Sequence, residues 1–362
     1  MTTYYDGIYF GMSEDDYHAI PRLSGSALKQ LCVSPGTFWV DSWMNPDRED
    51  RTSSALDLGK AYHAAALEPD ELYQRFYRAP APSDMPEGSL MNDTDVKAAL
   101  AELGEPQTKK GENALTRAQR LVSLGCTTPI YSITVADASV SNRGRTPLAA
   151  ATYDQMQRDL RLLYDTPEIG RLFEGGAAEV VILFKCPMTG EPMKARLDYL
   201  TTDGIREFKT FSNSRRARLD QAVSDAVRYE RYYLSAELYV QAVEAMKANP
   251  GDVDAQTDEQ ERLVEQLTLS SGTLPFTFIF QETGGAPNVL ARSLKLRGWH
   301  DGNEYLTALA ARAQMEIRHA VSTFRHCCDV YGTEGVPWQP LNMTGTLDDS
   351  DFNTFWLDGD HK

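Results

Sequence analysis

The chain has 362 residues, 42% hydrophobic and 24% charged, with 36 Lys+Arg against 52 Asp+Glu and a formal net charge of −16. That composition is ordinary for a globular protein and argues against a fibrous or disordered chain. The acidity excludes a surface that grips nucleic acid through a uniformly basic coat, though not a local basic site. No run approaches 18 consecutive apolar residues, so no membrane partner is expected. Met1 to Phe10 shows no basic segment followed by an apolar one. Cys32, Cys126, Cys186, Cys327 and Cys328 have neither zinc spacing nor a disulfide framework. A reducing, cytoplasmic setting is the expectation.

Residues 1–80 read as a helical N-terminal part. Residues 23–31 form a short helix with Ser24 or Ser26 as its cap. Residues 55–67, rich in Ala and Leu, form a buried helix that Glu68-Pro69 closes. Residues 81–144 read as an insertion or linker, opened by Ala79-Pro80-Ala81-Pro82. Two helices, 95–103 and 115–124, flank Thr108-Lys109-Lys110-Gly111 there. This resembles a SAP-like helical DNA-binding element; an ordinary helical hairpin is the plain alternative.

Residues 145–345 carry the rest of the fold. A helix is expected over 147–164, with Tyr153, Met156, Leu160 and Leu163 on one face. Strands follow at 179–185, 193–200 and 205–210, separated by the turns Met188-Thr189-Gly190-Glu191 and Thr202-Asp203-Gly204. One long helix is expected over 219–247, then strands at 275–280 and 288–294, and a helix over 302–331. Residues 346–362 form an acidic tail. The fold class is α/β (α+β), a mixed central β-sheet flanked by helices.

The chemistry concentrates at Arg196-Leu197-Asp198 and Glu207-Phe208-Lys209. On a strand, Glu207 and Lys209 at i and i+2 share one face and Phe208 takes the other. With Asp198 on the adjacent strand, two carboxylates and an ammonium converge. Such oxygens suit a hard cation, Mg²⁺ or Mn²⁺, which polarises a phosphate and activates water. A cross-strand ion-pair face is the plain alternative. His63, inside the Ala-rich helix, is a hydrogen-bonded core residue or a metal ligand. Tyr232, Ser235 and Tyr239 fall on one helical face, suited to a site or to core packing. Residues 206–231 hold seven basic residues, Arg215, Arg216, Arg218 and Arg231 among them, against four acidic ones. That local excess suits phosphate contacts or a solvated face.

The order His63, Asp198, Glu207-Phe208-Lys209 and then Tyr239 resembles RecB-like nucleases of the PD-(D/E)XK superfamily. More closely it resembles the nuclease domain of RecE-type exonucleases (exodeoxyribonuclease VIII) of phages and prophages. Met12-Ser13-Glu14-Asp15-Asp16-Tyr17-His18, Leu23-Ser24-Gly25-Ser26-Ala27-Leu28 and Lys194-Ala195-Arg196-Leu197-Asp198 carry the likeness. So does Ala55-Leu56-Asp57-Leu58-Gly59-Lys60-Ala61-Tyr62-His63 with Leu67-Glu68-Pro69. The resemblance covers residues 5–80 and 145–250.

It implies a PD-(D/E)XK core in which His63, Asp198, Glu207 and the Phe208 carbonyl hold the metal. Lys209 would be the catalytic lysine, and Glu179 an accessory group for a second metal. Tyr239 would be the motif tyrosine near the site and the DNA, and the candidate DNA contacts read from charge and helical spacing, Arg215, Arg216, Arg218, Arg231, Tyr232 and Ser235, stand with it. Ser235 stands where the family has glutamine, and its hydroxyl reaches less far. The implied activity is Mg²⁺-dependent (or Mn²⁺-dependent) 5′–3′ exonuclease action on double-stranded DNA ends. It would expose 3′ strands for a single-strand annealing protein, in a ring-shaped homo-oligomer inside a bacterial host cell. Two alternatives stand beside it: another RecB-like nuclease, or a catalytically weakened DNA-binding or inhibitory protein on the same fold.

Overall fold

The computed structural model describes residues 3–49, 54–300, 303–341 and 344; the acidic tail at 346–362 lies outside them. Seven strands form one mixed sheet: β1 (Gly7–Tyr9), β2 (Gly176–Lys185), β3 (Pro192–Thr201), β4 (Gly204–Phe211), β5 (Asp252–Asp254), β6 (Phe276–Glu282) and β7 (Val289–Leu294). Their order is β5-β1-β2-β3-β4-β6-β7. β1 with β5 and β4 with β6 are parallel pairs; the other neighbours are antiparallel. β6, Phe-Thr-Phe-Ile-Phe-Gln-Glu, is buried at every position, as an inner strand covered on both faces must be.

Helices cover both faces. In chain order they include α1 (Glu14–Ala19), α2 (Gly25–Leu31), α3 (Ser54–Leu67), α4 (Asp93–Glu102), α5 (Ala114–Ser123), α6 (Tyr131–Ser141), α7 (Ala150–Asp165), α8 (Leu219–Tyr229), α9 (Tyr232–Ala248) and α10 (Ala308–Tyr331). The larger core joins α2, α9 and α10 to the sheet through Leu28, Leu234, Leu238, Ile317, Ile205 and Phe278. The smaller joins α3 and α7 to the opposite face through Ala61, Tyr62, Met156, Leu160, Phe208 and Ile279. Alternation along β4 therefore sends Ile205 and Phe211 to one core and Phe208 to the other. Each such side chain, buried, contributes about 1.5–3 kcal/mol.

The segment 79–145 leaves and rejoins the body between two short parallel strands, Phe76–Arg78 and Thr146–Leu148. α4, α5 and α6 within it enclose their own small core of Val96, Leu100, Ala118, Leu121 and Ile130.

Three expected elements differ. The helix expected over 219–247 is two, α8 and α9, parted at Arg231, whose φ of 50° is left-handed. No Gly or Pro signals this break. Packing imposes it: α9 buries most of its residues between the sheet and α10 while α8 remains largely exposed. The helix expected from 147 starts at Ala150, because Pro147 pairs with Tyr77 in the short strand. The last helix starts at Ala308, because Arg297–His300 and Asn303–Leu306 form a hairpin. No described helix is long and apolar enough to cross a membrane. All five cysteines are free thiols.

Candidate metal centre

The site is built where the sheet forks. Along the β2–β3 ladder, Ala178 pairs with Tyr199 and Val180 with Leu197. Glu179 therefore stands across from Asp198, at a lapse in the pairing. Its backbone there is left-handed, with φ of 54°, a conformation that costs a non-glycine residue roughly 1–2 kcal/mol. The β3–β4 ladder holds from Thr201–Gly204 to Tyr199–Arg206 and then stops. One step further, Asp198 and Glu207 would pair next. The Phe208 N–H donates instead to Asp198 Oδ2 at 2.8 Å. Three carboxylates from three adjacent strands so reach one fork.

α3 delivers His63 to the same place. Its Ala-rich face packs on Phe208 and α7, and the Tyr62 hydroxyl donates to buried Asp159 at 2.5 Å, which fixes the helix in rotation. His63 Nδ1 lies 3.2 Å from Glu179 Oε1 and Nε2 lies 3.0 Å from Asp198 Oδ1. Arg196 donates to the other oxygen of Glu179. Lys209 Nζ stands 2.6 Å from Glu207 Oε1, 3.6 Å from Asp198 Oδ2 and 3.2 Å from the Phe208 carbonyl oxygen.

Ligand atoms of His63, Glu179 and Asp198 all lie within 4.8 Å of one another, a group that could hold a metal ion. Two buried carboxylate oxygens, Glu179 Oε1 and Glu207 Oε2, have no hydrogen-bond partner. Glu179 Oε1 has His63 within ion-pair distance but outside hydrogen-bond geometry. An orphaned buried oxygen costs about 1–3 kcal/mol, more when charged. Imidazole nitrogen plus carboxylate oxygen is a donor set that fits a divalent cation.

Electrostatics follow from crowding three acids out of water. Burial pushes the Glu179 carboxyl up, against the pull of His63. Burial, and then Asp198, push Glu207 up as well. Asp198 goes down despite its burial, because Lys209 and His63 favour its charge. Burial opposes the His63 charge, yet Asp198 and Glu179 raise its pKa to about 9. Lys209 is likewise raised against burial by Asp198 and Glu207, so it stays an ammonium at neutral pH.

His63, Glu179, Asp198 and Lys209 line a cleft of about 460 Å³ together with Tyr17, Lys60, Arg75 and Tyr232, and Glu207 is buried behind it. Glu14 anchors its rim, with Arg75 Nη2 at 3.0 Å, Lys60 Nζ at 3.4 Å and His18 Nε2 at 3.7 Å. Those contacts hold the Glu14 carboxyl well below the usual carboxylate range.

The structure brings together His63, Glu179, Asp198, Glu207, Phe208, Lys209 and Tyr232. Tyr239 lines the neighbouring cavity with Lys194 and Arg196. Burial, and then the charge of Glu207, push its hydroxyl up. Ser235 is buried against α2, where a Cβ on Gly25 would come within 2.9 Å of its Oγ. Arg215, Arg216 and Arg218 are exposed on the loop after β4. Arg231 pairs with Glu316 at 3.5 Å and lines a separate groove with Arg228 and Arg312. The sequence reasoning did not single out Glu14, Lys60 or Arg75. The available signal was Lys60, a charge three residues before His63 in an Ala- and Leu-rich helix.

No family model matches the chain, and no curated protein matches it. Among solved structures, one from Eubacterium rectale named “Putative exonuclease” is similar over 86% of this chain and 100% of that chain, at 11% identity and a TM-score of 0.34.

Proposed function

We propose that the chain is a metal-dependent nuclease that cuts phosphodiesters of double-stranded DNA from an end. The observation that carries this reading is the fork itself. Glu179, Asp198, His63 and Lys209 line one open cleft with buried Glu207 beside them, and one oxygen each of Glu179 and Glu207 is unpartnered. Most buried polar atoms of a purely structural ion-pair face find hydrogen-bond partners, so two orphaned oxygens at one place favour a ligand there.

His63, Asp198 and Glu179 would hold the cation, with Glu207 and the Phe208 carbonyl beside them; Mg²⁺ or Mn²⁺ suits the set. The metal supplies Lewis acidity to the phosphate and a more acidic water. In hydrolysis, the water oxygen bonds to phosphorus, one bridging P–O bond breaks, and the leaving oxygen takes a proton. Lys209, held as an ammonium by Asp198 and Glu207, sets positive charge against a phosphate oxygen as its negative charge grows. It does not serve as the base. Arg196 fixes Glu179 in orientation, and Glu14 fixes Lys60 and Arg75 at the rim for the flanking phosphates.

The finer reading is RecE-like: 5′–3′ polarity, 3′ strands passed to a single-strand annealing protein, and a ring of copies around the duplex. A net charge of −16 is compatible with a ring whose basic residues face inward. The test is digestion of linear duplex DNA with Mg²⁺, against EDTA and against Lys209→Ala. Wild type should digest it, and both controls should not. Equal digestion by Lys209→Ala would overturn the site; no digestion of any DNA by wild type would leave the weakened binding protein as the reading.

A further inference from the structure

α2 and α9 touch through small residues. Gly25 lies on Ser235, and any Cβ at 25 would meet Ser235 Oγ at 2.9 Å. One helical turn after Gly25, on the same face of α2, comes Lys29. The close approach sets Lys29 Nζ 4.8 Å from the centre of the Tyr232 ring, while Lys209 Nζ lies 5.9 Å from the same ring. Two ammonium groups therefore flank one phenol at the edge of the cleft.

The two lysines differ in their partners. Lys209 has Glu207 and Asp198 within 4.0 Å. Lys29 has neither a carboxylate within 4.0 Å nor a hydrogen bond among the described residues; its ammonium stands over the Tyr232 ring, with Glu207 and Glu230 acting on it only at longer range. It is half-buried, and burial together with Lys209 holds its pKa down to about 8. A desolvated cation beside a like charge is unfavourable unless an anion joins them. Replacing it by an apolar side chain should leave stability about unchanged, because relief of desolvation and of the Lys209 repulsion offsets the lost ring contact.

We propose that Lys29 and Lys209 form a phosphate subsite around Tyr232, in which Lys29 binds an anionic oxygen of the substrate's phosphodiester backbone. The proposal rests on the nuclease reading and deepens it. It also gives a role to the α2–α9 contact. Ser235 is buried against Gly25, and the cation that this helix pair brings to the cleft-lining Tyr232 ring is that of Lys29.

The test measures binding without cutting. A fluorescein-labelled blunt DNA duplex is titrated in EDTA with wild type, Lys29→Met and Lys29→Arg over a series of salt concentrations. Lys29→Met should weaken binding about tenfold, the scale of one charge-assisted hydrogen bond. It should also lower the slope of log affinity against log salt by about one, as loss of one phosphate contact requires. Lys29→Arg should keep the wild-type slope, and the melting temperature of Lys29→Met should not fall. A Lys29→Met variant that melts lower and binds duplex with the wild-type slope would make Lys29 a packing residue and overturn the subsite. Absence of duplex binding by wild type would instead overturn the nuclease reading on which it rests.

Discussion

The strand fork and the helical insertion 79–145 obey opposite rules. In the insertion the helix caps and most charged groups find local partners, although Arg117 Nε and Arg120 Nη1 have no hydrogen bond. Asn92 caps α4 and Asn113 caps α5, each accepting from backbone N–H groups of the first turn. Arg117 pairs with Asp93, Arg120 with Glu112 and Lys97 with Asp93. At the fork the same chain breaks these rules. A glutamate takes a left-handed backbone, two ladders lapse, and three acids are buried beside one another. Local conflicts of this kind persist where function needs them and the surrounding structure outweighs them. The difference is what the proposed chemistry at the fork calls for, while the insertion encloses a small core of its own.

The largest effect should separate the two regions by activity. Lys209→Met or Asp198→Asn should slow DNA cutting about 10²–10³-fold, the cost of removing one charge-stabilising group. Lys97→Met, which removes a half-buried i,i+4 pair in the insertion, should change it less than about twofold. Rates on linear duplex DNA check both. Comparable losses from both lysines would break the contrast.

Stability should separate them next. Leu100 is fully buried in the insertion's own core, and Leu100→Ala should cost about 2–5 kcal/mol. The loss should be local: new protease cuts within 79–145, with metal binding at the fork kept. The paired strands Phe76–Arg78 and Thr146–Leu148 hold the two ends of the insertion together where it joins the body. If Leu100→Ala abolishes metal binding, the two regions are one cooperative unit.

A pH series reads the buried charges. The folded pKa of His63, about 9, exceeds its ordinary value of about 6.5. Its stabilising pairs are therefore fully present below about pH 6.5 and lost as pH rises through 9. Glu179 and Glu207 are raised too, so the folded chain holds protons that the unfolded chain releases. Metal-free protein should lose stability steadily from about pH 5 to pH 9. Asp198, lowered, acts only in acid, where its contribution disappears as pH falls. A divalent cation must displace the His63 proton, so binding near pH 7 should release protons and tighten as pH rises. Calorimetry in two buffers of different ionisation enthalpy measures that release. A flat melting temperature with no released protons would contradict the charge arrangement.

Much of the fork was legible in the residues and some was not. Glu207-Phe208-Lys209 reads directly, because the two-residue period of a strand dictates who shares a face. Asp198 follows once the turn at Thr202-Asp203-Gly204 is recognised, since that turn sets the register to β4. His63 was visible as a polar residue in an apolar helix, but its two partners were not, because they depend on how α3 crosses the sheet. Glu179 was visible at a strand end, while its left-handed backbone had no local signal. Arg231 read as one of a basic cluster, yet packing of α9 turns it toward Glu316. Periodicity reports the neighbours along an element; contacts between elements remain outside its reach.

Glu179 therefore offers the smallest but most discriminating test. Glycine adopts a φ of 54° without the steric cost that a side chain carries. Glu179→Gly also removes a carboxyl whose burial raises its pKa and leaves one oxygen unpartnered. Against this, it leaves Arg196 without its acid and His63 without one contact, and the gain from relieved strain is about 1 kcal/mol. A truly structural glutamate would lose stability on this change. One retained for metal binding should show a melting temperature unchanged or raised by a few degrees, together with weaker metal affinity. Glu179→Gln keeps the side chain but not the charge, and should lose affinity without the gain in stability. The pair of variants thus separates backbone strain from charge at one position, and shows whether the fork's conflict serves the fold or the cation.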